Sequence, residues 1–191
     1  MNTSDTRPLN DHLLRTLAAV PVSSEVLDLG CGQGRHTEAL LRLGFPVHAC
    51  DPRPAAVEAT RETVQDLLEE GDPETVVQVA HLDEMDYPEA TFDWVVAVEA
   101  EETYVSDEDD LRRLFEEGRR LLKPGGWLYV TLPGGEEGAG DESTAWFSKE
   151  TIEAQRSAAD LAQASEPTEV EGEGLDRIRA IYRCVEPHTP A

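Results

Sequence analysis

The chain has 191 residues, of which 39% are hydrophobic, which suits one domain with a full core over residues 1–191. Its 40 Asp and Glu residues outnumber 16 Lys and Arg residues, and the net charge of −24 disfavours nucleic acid as a partner. Because the chain has no apolar run of membrane-spanning length and no signal-peptide pattern at its start, we expect a cytoplasmic protein that binds no membrane.

The acidic residues are spread along the whole chain rather than concentrated in a tail. A cationic partner is one interpretation of this charge. The other is a solvated surface adapted to concentrated salt, where screening removes most of the self-repulsion. The even spread favours salt adaptation.

The three cysteines, Cys31, Cys50 and Cys184, do not have the spacing of metal ligands. We therefore predict no metal site. Cys31 and Cys50 follow or end predicted parallel strands, and this position favours buried thiols over a disulfide.

The first predicted element is an amphipathic helix over residues 9–19. Leu13, Leu14 and Leu17 share one of its faces, and Pro21 ends it. We expect residues 1–23 to form an N-terminal helical cap, with His12 at the surface rather than in a catalytic role.

A glycine-rich turn follows the first predicted strand. Val26–Leu29 has the short apolar pattern of a buried parallel strand, the turn contains Gly30, Gly32 and Gly34, and residues 37–41 have helical composition. Strand, glycine turn and helix open a doubly wound α/β domain, in which a ligand binds at the carboxyl end of the first strand. Glycines allow the main chain to approach that ligand closely.

The glycine spacing distinguishes between possible ligands. The dinucleotide fingerprint is G-x-G-x-x-G, whereas this turn is G-x-G-x-G with Arg35 at the third glycine position, which argues against a bound pyrophosphate. The run D-L-G-C-G-x-G closely resembles motif I of the class I S-adenosylmethionine (SAM)-dependent methyltransferases. A glycine turn without a ligand is the alternative. The resemblance implies that these residues form part of a SAM site: Asp28, Gly30, Cys31, Gly32 and Gly34.

The second predicted strand, residues 45–51, ends on Asp51, which lies 21 residues after Gly30. A carboxylate at this point can accept hydrogen bonds from both ribose hydroxyls of the cofactor. Asp51 could also cap the next helix, predicted over residues 54–70, and the two roles are compatible.

The third predicted strand covers residues 75–82 and leads into an acidic loop. The resemblance implies that this loop holds the adenine, with an acid accepting from the amino group. Position in the chain points to His81, whereas residue type points to Asp83. We favour Asp83, with Leu82 as its neighbour, and a solvated loop without that role is the alternative.

The fourth predicted strand, residues 91–98, contains F-D-x-V-V, which resembles the family closely. Many relatives carry a histidine after this strand, but this chain has Thr103 and Tyr104 there. Glu99 could bind the methionine part of SAM, and Tyr104 could line the acceptor pocket. Glu99, Glu102 and Tyr104 are the candidate catalytic bases if the acceptor needs one, and each could instead be a plain loop residue.

A helix is predicted over residues 107–122 with Ser106 as its N-cap. The pattern L-L-K-P-G-G-x-L then leads into the fifth strand, residues 127–133. This pattern is the second strongest match to the family, and it implies a tight connection between helix and strand.

The last third of the chain contains a glycine- and acid-rich segment, residues 134–147, predicted to be a flexible loop. It could act as a substrate lid or be a surface loop. Ser148 is expected to cap a helix that runs to about Ala164, and residues 169–171 and 175–185 are expected to form a closing hairpin.

The resemblance implies an α/β fold with a doubly wound, mostly parallel seven-stranded sheet, Rossmann-like, whose last strand is antiparallel. It implies a SAM-dependent methyltransferase acting on a small-molecule acceptor by in-line displacement, most similar locally to the tellurite-resistance type. In such enzymes the N-terminal helix often covers the cofactor or substrate, but it could equally just pack on the sheet. The alternatives are a non-catalytic SAM-binding or regulatory domain, and a nucleic-acid or protein methyltransferase. Either a monomer or a homodimer is compatible with the sequence.

Overall fold

A computed structural model describes residues 8–68, 71–135, 145–170 and 176–185. Six α-helices and eight β-strands lie in these ranges. The helices are α1 (Asp11–Leu17), α2 (Arg35–Arg42), α3 (Pro54–Val64), α4 (Pro73–Val76), α5 (Glu108–Leu121) and α6 (Lys149–Ala158). The strands are β1 (Val26–Leu29), β2 (Val47–Asp51), β3 (Val77–Val79), β4 (Phe92–Val98), β5 (Leu122–Pro133), β6 (Leu161–Gln163), β7 (Thr168–Val170) and β8 (Arg177–Cys184).

The strands form one sheet in the order β3-β2-β1-β4-β5-β8-β6, with β7 also paired to β8. Strands β1 to β5 are parallel, and β8 runs antiparallel to β5. The predicted doubly wound, mostly parallel sheet with an antiparallel last strand is confirmed, but it has eight strands rather than the seven expected. Strands β7 and β8 pair as the predicted hairpin. The strand order reverses between β1 and β4, and ligands of such sheets bind at the carboxyl ends beside this switch point.

Helices cover the sheet on both faces. Asp28, Val96 and Tyr129 are register partners and therefore share one face, which we call the α1 face. Leu13 and Leu17 of α1 are fully buried against this face, so the predicted amphipathic helix is confirmed and packs on the sheet. Helices α2 and α3 also pack on the α1 face, whereas α5 and α6 pack on the opposite one.

Two predicted elements are shorter than expected because local caps interrupt them. The predicted third strand is reduced to β3, since Asp72 accepts a hydrogen bond from the Glu74 amide and starts the short helix α4. The helix expected to reach Ala164 ends at Ala158, because Asp160 adopts a left-handed conformation (φ 59°) before β6.

Two further helix boundaries differ from the sequence prediction. Helix α3 ends at Val64 and continues only as a 3-10 turn over Gln65–Leu67. Helix α5 is capped by Asp107, which accepts from the Asp110 amide at 2.9 Å, rather than by Ser106. The Ser106 hydroxyl instead donates to the Asp110 carboxylate at 2.6 Å.

Most of the predicted flexible loop, residues 136–144, lies outside the described residues, as do the hairpin turn at 171–175 and the tail from 186. Within the described ranges, no helix has the length and apolar character needed to cross a membrane. The same ranges contain no cluster of three His, Cys, Asp or Glu side chains suited to a metal ion.

Candidate cofactor and acceptor site

The glycine turn after β1 is held in left-handed conformations, with φ of 85° at Gly30, 59° at Gly32 and 85° at Gly34. A Cβ at Gly30 would lie 2.7 Å from the Thr103 hydroxyl, and one at Gly34 would lie 3.2 Å from the backbone of Thr60. A Cβ at Gly32 would meet no atom within 4 Å. The open side of the turn is therefore at Gly32, where a ligand can approach the main chain closely.

The amide groups of the turn donate within the protein. The Gly30 and Cys31 amides donate to the Cys50 carbonyl at 2.8 and 3.0 Å, and the Gly32 amide donates to Asp51 Oδ2 at 3.0 Å. A pyrophosphate site needs such donors directed at the ligand. The amides of Gly30, Cys31 and Gly32 are therefore engaged within the protein rather than directed at a ligand.

Asp51, the candidate ribose-binding acid, ends β2 and is fully buried. Besides the Gly32 amide, it binds the guanidinium of Arg53, with Nε on Oδ1 and Nη2 on Oδ2, both at 2.9 Å. Asp51 therefore has a basic partner two residues further along the chain. Because both carboxylate oxygens are engaged, the half-exposed Arg53 side chain must move before a ribose can bind there.

Asp28, in the middle of β1, is 2% exposed and accepts a hydrogen bond from the Thr37 hydroxyl at 2.6 Å. Burial raises the pKa of this carboxyl to about 6, and the Thr37 hydrogen bond opposes the rise. The hydrogen bond between Asp28 and Thr37 thus connects β1 to α2 on the two sides of the glycine turn. A direct contact between Asp28 and the cofactor stays a prediction.

All three cysteines are buried free thiols, as predicted for Cys31 and Cys50. Burial raises the pKa of Cys50 to about 12 and that of Cys31 well above its usual value. Because a neutral thiol is a poor nucleophile, neither side chain is suited to covalent catalysis. Cys31 packs beside α3, where its sulfur receives the Thr60 hydroxyl at 3.6 Å.

Glu99 follows β4 in a left-handed conformation (φ 58°), which places it at the switch point. Its amide donates to the Thr131 hydroxyl at 2.8 Å, and its Oε2 pairs with Arg35 Nη2 at 2.7 Å. A second nitrogen of Arg35 donates to the Pro8 carbonyl at 2.6 Å. An acid and a base side by side here suit the ammonium and carboxylate of a methionine moiety. The sequence reading did not assign Arg35 this role.

Tyr104, the second candidate catalytic residue, is only 6% exposed. Its hydroxyl donates to the Ala80 carbonyl at 2.8 Å, and burial raises its pKa far above the usual value for tyrosine. A hydroxyl that is already bonded and difficult to ionise is unsuited to be a base. This contact joins the loop after β4 to the end of β3 and favours a structural role, while a catalytic role for Tyr104 stays a prediction. The Glu102 side chain lies outside the described part of the structure.

The candidate adenine contacts lie on the turn after β3. Leu82 is 7% exposed, whereas His81 and Asp83 are both exposed. The Glu84 amide donates to the His81 carbonyl at 3.1 Å and closes the turn. The preference for Asp83 over His81 stays a prediction.

The amino-terminal end of α1 adds polar groups that the sequence reading missed. The Tyr129 hydroxyl on β5 donates to Asn10 Oδ1 at 3.1 Å and lies 3.3 Å from His12 Nδ1. The backbone N–H of Asn10 in turn donates to His36 Nε2 at 3.1 Å. His12, expected at the surface, is half-buried against Tyr129. No sequence spacing relates these residues, because they belong to separate elements.

A buried ion pair joins the loop after β4 to the start of β8. The side chains of Glu101 and Arg177 are 5% and 13% exposed and bind each other. Burial raises the pKa of Glu101, while Arg177 opposes the rise. Among the described residues, Glu101 Oε2 is buried and receives no hydrogen bond. A buried carboxylate oxygen normally accepts a hydrogen bond, so Glu101 Oε2 can accept one from a group other than the described residues.

A separate cleft of about 320 Å³ opens at the amino end of the sheet, lined in part by Trp94 and Trp127. The glycine turn, Asp51 and Glu99 all lie at the carboxyl ends of their strands. This cleft is therefore at the opposite edge from the candidate site.

The family described as "Methyltransferase domain" has a sequence model that matches residues 26–126. The human mitochondrial ubiquinone biosynthesis O-methyltransferase is 33% identical over 131 residues, which cover 64% of this chain and 34% of the human protein. The chain thus spans about a third of the length of the curated relatives that it matches.

Solved structures share the fold. A SAM-dependent methyltransferase from Methanosarcina mazei has a TM-score of 0.74 at 18% identity, over 94% of this chain and 99% of its own. The magnesium protoporphyrin IX methyltransferase of Synechocystis, solved with bound SAM, has a TM-score of 0.73 at 14% identity, over 91% of this chain and 76% of its own. At these identities the likeness concerns the fold.

Proposed function

The chain belongs to the methyltransferase-domain family as a SAM-dependent methyltransferase, and from this premise we propose that it methylates a small-molecule acceptor. The observation that carries the proposal is the arrangement at the switch point, where Asp51 and the Arg35–Glu99 pair flank the turn that is open at Gly32. A small-molecule acceptor agrees with the net charge of −24, which opposes nucleic acid. It also agrees with the ubiquinone pathway named for the human relative.

The residues present fit SAM. We assign the ribose hydroxyls to Asp51, the ammonium to Glu99 and the carboxylate to Arg35, because each pairing joins complementary donors and acceptors. The adenine belongs near Leu82 and Asp83. When bound, SAM supplies a methyl group activated by its sulfonium, so the protein's main task is alignment.

With SAM held by Asp51, Glu99 and Arg35, in-line displacement would transfer the methyl group to a lone pair of the acceptor heteroatom and leave the electrons of the broken bond on sulfur. An acceptor that is already anionic releases no proton. An alcohol or amine must pass its proton to a base. Glu99 is a candidate base but is engaged by Arg35, and Tyr104 is unsuited. Glu101 is a further candidate, because its Oε2 receives no hydrogen bond from the described residues although its Oε1 is paired with Arg177.

Two other functions remain distinguishable by experiment. A non-catalytic domain would bind SAM yet form no S-adenosylhomocysteine with any acceptor. A nucleic-acid or protein methyltransferase would bind its macromolecule, and the acidic surface opposes the nucleic-acid case. A cytoplasmic location, salt adaptation and a monomeric or dimeric state all stay predictions.

Calorimetric titration with SAM and with S-adenosylhomocysteine, in low salt and in molar KCl, tests the proposal. We expect dissociation constants on the order of micromolar in at least one buffer. Absence of binding in both buffers, from protein that circular dichroism shows to be folded, would contradict the proposed function. Binding seen only in molar KCl would support salt adaptation of the acidic surface.

A further inference from the structure

We propose that Arg179 binds a carboxylate group of the methyl acceptor, in a subsite on the α1 face formed with Tyr129 and His12. The proposal rests on the proposed function, since it names the chemistry of the acceptor for the same enzyme. It concerns a residue that no motif in the sequence singles out.

Strand β8 carries three arginines on one face, Arg177, Arg179 and Arg183, because alternate residues of a strand point the same way. Arg177 is paired with Glu101. The Arg183 guanidinium lies 5.1 Å from the centre of the Trp127 ring. Arg179 forms no ion pair with any described residue, although 40 acids are available to 16 bases in this chain. A half-buried arginine without an acid in so acidic a protein indicates that its charge serves a ligand.

The sheet register places Arg179 at the reactive end of the site. Arg179 on β8 is opposite Thr131 on β5, which is opposite Val98, the last residue of β4. With about 4.8 Å between neighbouring strands, Arg179 and Val98 are about 10 Å apart along this row. The Thr131 hydroxyl also accepts from the Glu99 amide, which connects the row to the switch point.

The charge of Arg179 acts on the polar groups under α1. It opposes the burial that raises the pKa of Tyr129 to about 12. After burial, it is the second cause that lowers the pKa of His12, and Arg15 is the third. These effects agree with the sheet register, in which Arg179 is paired with Thr131, two residues after Tyr129 on the same face of the sheet.

These features favour a carboxylate ligand. A guanidinium offers two parallel N–H donors that match the two oxygens of a carboxylate, and a lysine or histidine does not. A singly charged carboxylate is also repelled less by the acidic surface than a doubly charged phosphate. Screening in molar salt would reduce that repulsion while preserving contacts inside the subsite.

Matched acceptor probes test the proposal without knowledge of the natural acceptor. The probes are 4-hydroxyphenylacetate and 4-aminobenzoate, each compared with its neutral amide. Their affinities are measured by titration into the full chain saturated with S-adenosylhomocysteine, in molar KCl. We expect at least one carboxylate to bind at least tenfold more tightly than its amide.

Variants of β8 locate the effect. Arg179→Gln should remove the preference for the carboxylate, whereas Arg179→Lys should retain part of it. Arg183→Gln is the matched control, since it removes an equal charge from the same strand face and should leave the preference within twofold. Thermal unfolding of each variant shows whether it is folded.

The outcomes separate the two proposals. If neither carboxylate binds more tightly than its amide, or if Arg183→Gln removes the preference as fully as Arg179→Gln, the subsite is overturned. The comparison of each carboxylate with its amide in the wild-type chain tests the carboxylate preference even if Arg179→Gln does not fold. Failure of S-adenosylhomocysteine to bind at the saturation step would instead overturn the proposed function.

Discussion

The proposed cofactor end and acceptor end of the site differ in the range of most of their contacts, although the Arg35–Glu99 pair at the cofactor end spans 64 positions. At the cofactor end, Arg53 binds Asp51 from two positions away, and Thr37 binds Asp28 from nine positions away. The Gly32 amide reaches Asp51 across 19 positions. Short separations of this kind leave a motif in the sequence.

At the acceptor end, the Tyr129 hydroxyl binds Asn10 across 119 positions, and Arg177 binds Glu101 across 76. Such contacts depend on where α1, β5 and β8 are placed by the sheet. The comparison explains why the cofactor is identified by a motif, whereas the acceptor is constrained only by charge and geometry.

The comparison predicts that the largest loss of cofactor binding comes from Asp51→Ala. Removing a charged acceptor to two ribose hydroxyls should weaken SAM binding at least tenfold, about 1.4 kcal/mol or more. Titration calorimetry measures this, with Asp86→Ala as a control that removes an exposed acid. Unchanged affinity would show that the ribose is held elsewhere.

The glycine turn should respond differently at its two ends. A Cβ at position 32 meets no protein atom and would extend into the space left open for the ligand, so Gly32→Ala should lower SAM affinity about tenfold. It should also lower the free energy of unfolding by about 1–2 kcal/mol, because alanine is strained at a positive φ. Gly34→Ala adds contacts of 3.0–3.2 Å with Thr60 and should lower the melting temperature further. Titration and thermal unfolding measure the two effects. Equal changes in SAM affinity and melting temperature for the two variants would show that the ligand does not approach the turn at Gly32.

Asp28→Asn tests the buried acid behind the turn. The pKa of Asp28 is raised from 3.8 to about 6, so the ionised carboxylate is disfavoured in the folded chain. Wild-type stability should therefore fall relative to Asp28→Asn as pH rises through 6, by about 1–2 kcal/mol between pH 5 and pH 8. Urea unfolding at both pH values measures the difference, with Asp86→Asn as control. A difference that is constant with pH would contradict the raised pKa.

Two buried tyrosines, Tyr104 and Tyr129, test the separation of the cofactor site from its surroundings. Tyr104→Phe and Tyr129→Phe each remove a hydroxyl bonded to Ala80 or Asn10 and should cost about 1 kcal/mol of stability. Neither should change the dissociation constant of SAM more than about twofold, because neither is assigned to the cofactor. Once an acceptor is found, loss of turnover in a folded Tyr104→Phe variant would restore Tyr104 as a catalytic residue.

The smallest expected effect concerns Arg53. If its guanidinium competes with the ribose for Asp51, Arg53→Gln should strengthen SAM binding about threefold. Rising KCl should favour SAM binding in the wild type more than in this variant, since salt screens the Arg53–Asp51 pair. Arg42→Gln, which removes an exposed partner of Glu38, controls for the charge change. Weaker binding in Arg53→Gln would mean that Arg53 supports the cofactor instead.

The fold was largely predictable because its strands have short apolar runs bounded by glycines and acids. The run before Gly30 and the acid at Asp51 lie where the sequence places them. The fifth strand was expected to begin at Trp127 but begins at Leu122, and its pairing with β4 is irregular between Leu122 and Trp127. At Gly126, a Cβ would lie within about 3 Å of two backbone carbonyls, so the tight connection explains that glycine. The prediction errors were at the ends of elements, where one residue determines the boundary. The side chain of Asp107 sets the start of α5, and the left-handed conformation of Asp160 follows the end of α6.

The sequence by itself determined the family, the cofactor and the parallel sheet, because periodic apolar residues and a local glycine turn are properties of neighbours in the chain. Only the tertiary structure showed that Arg53 binds Asp51 through both oxygens, that Tyr104 is buried against β3, and that Arg179 has no acid partner among the described residues. These facts depend on the direction and burial of side chains brought together from distant elements. Hydrogen-bond geometry and desolvation act over a few ångströms in space, whatever the separation along the chain.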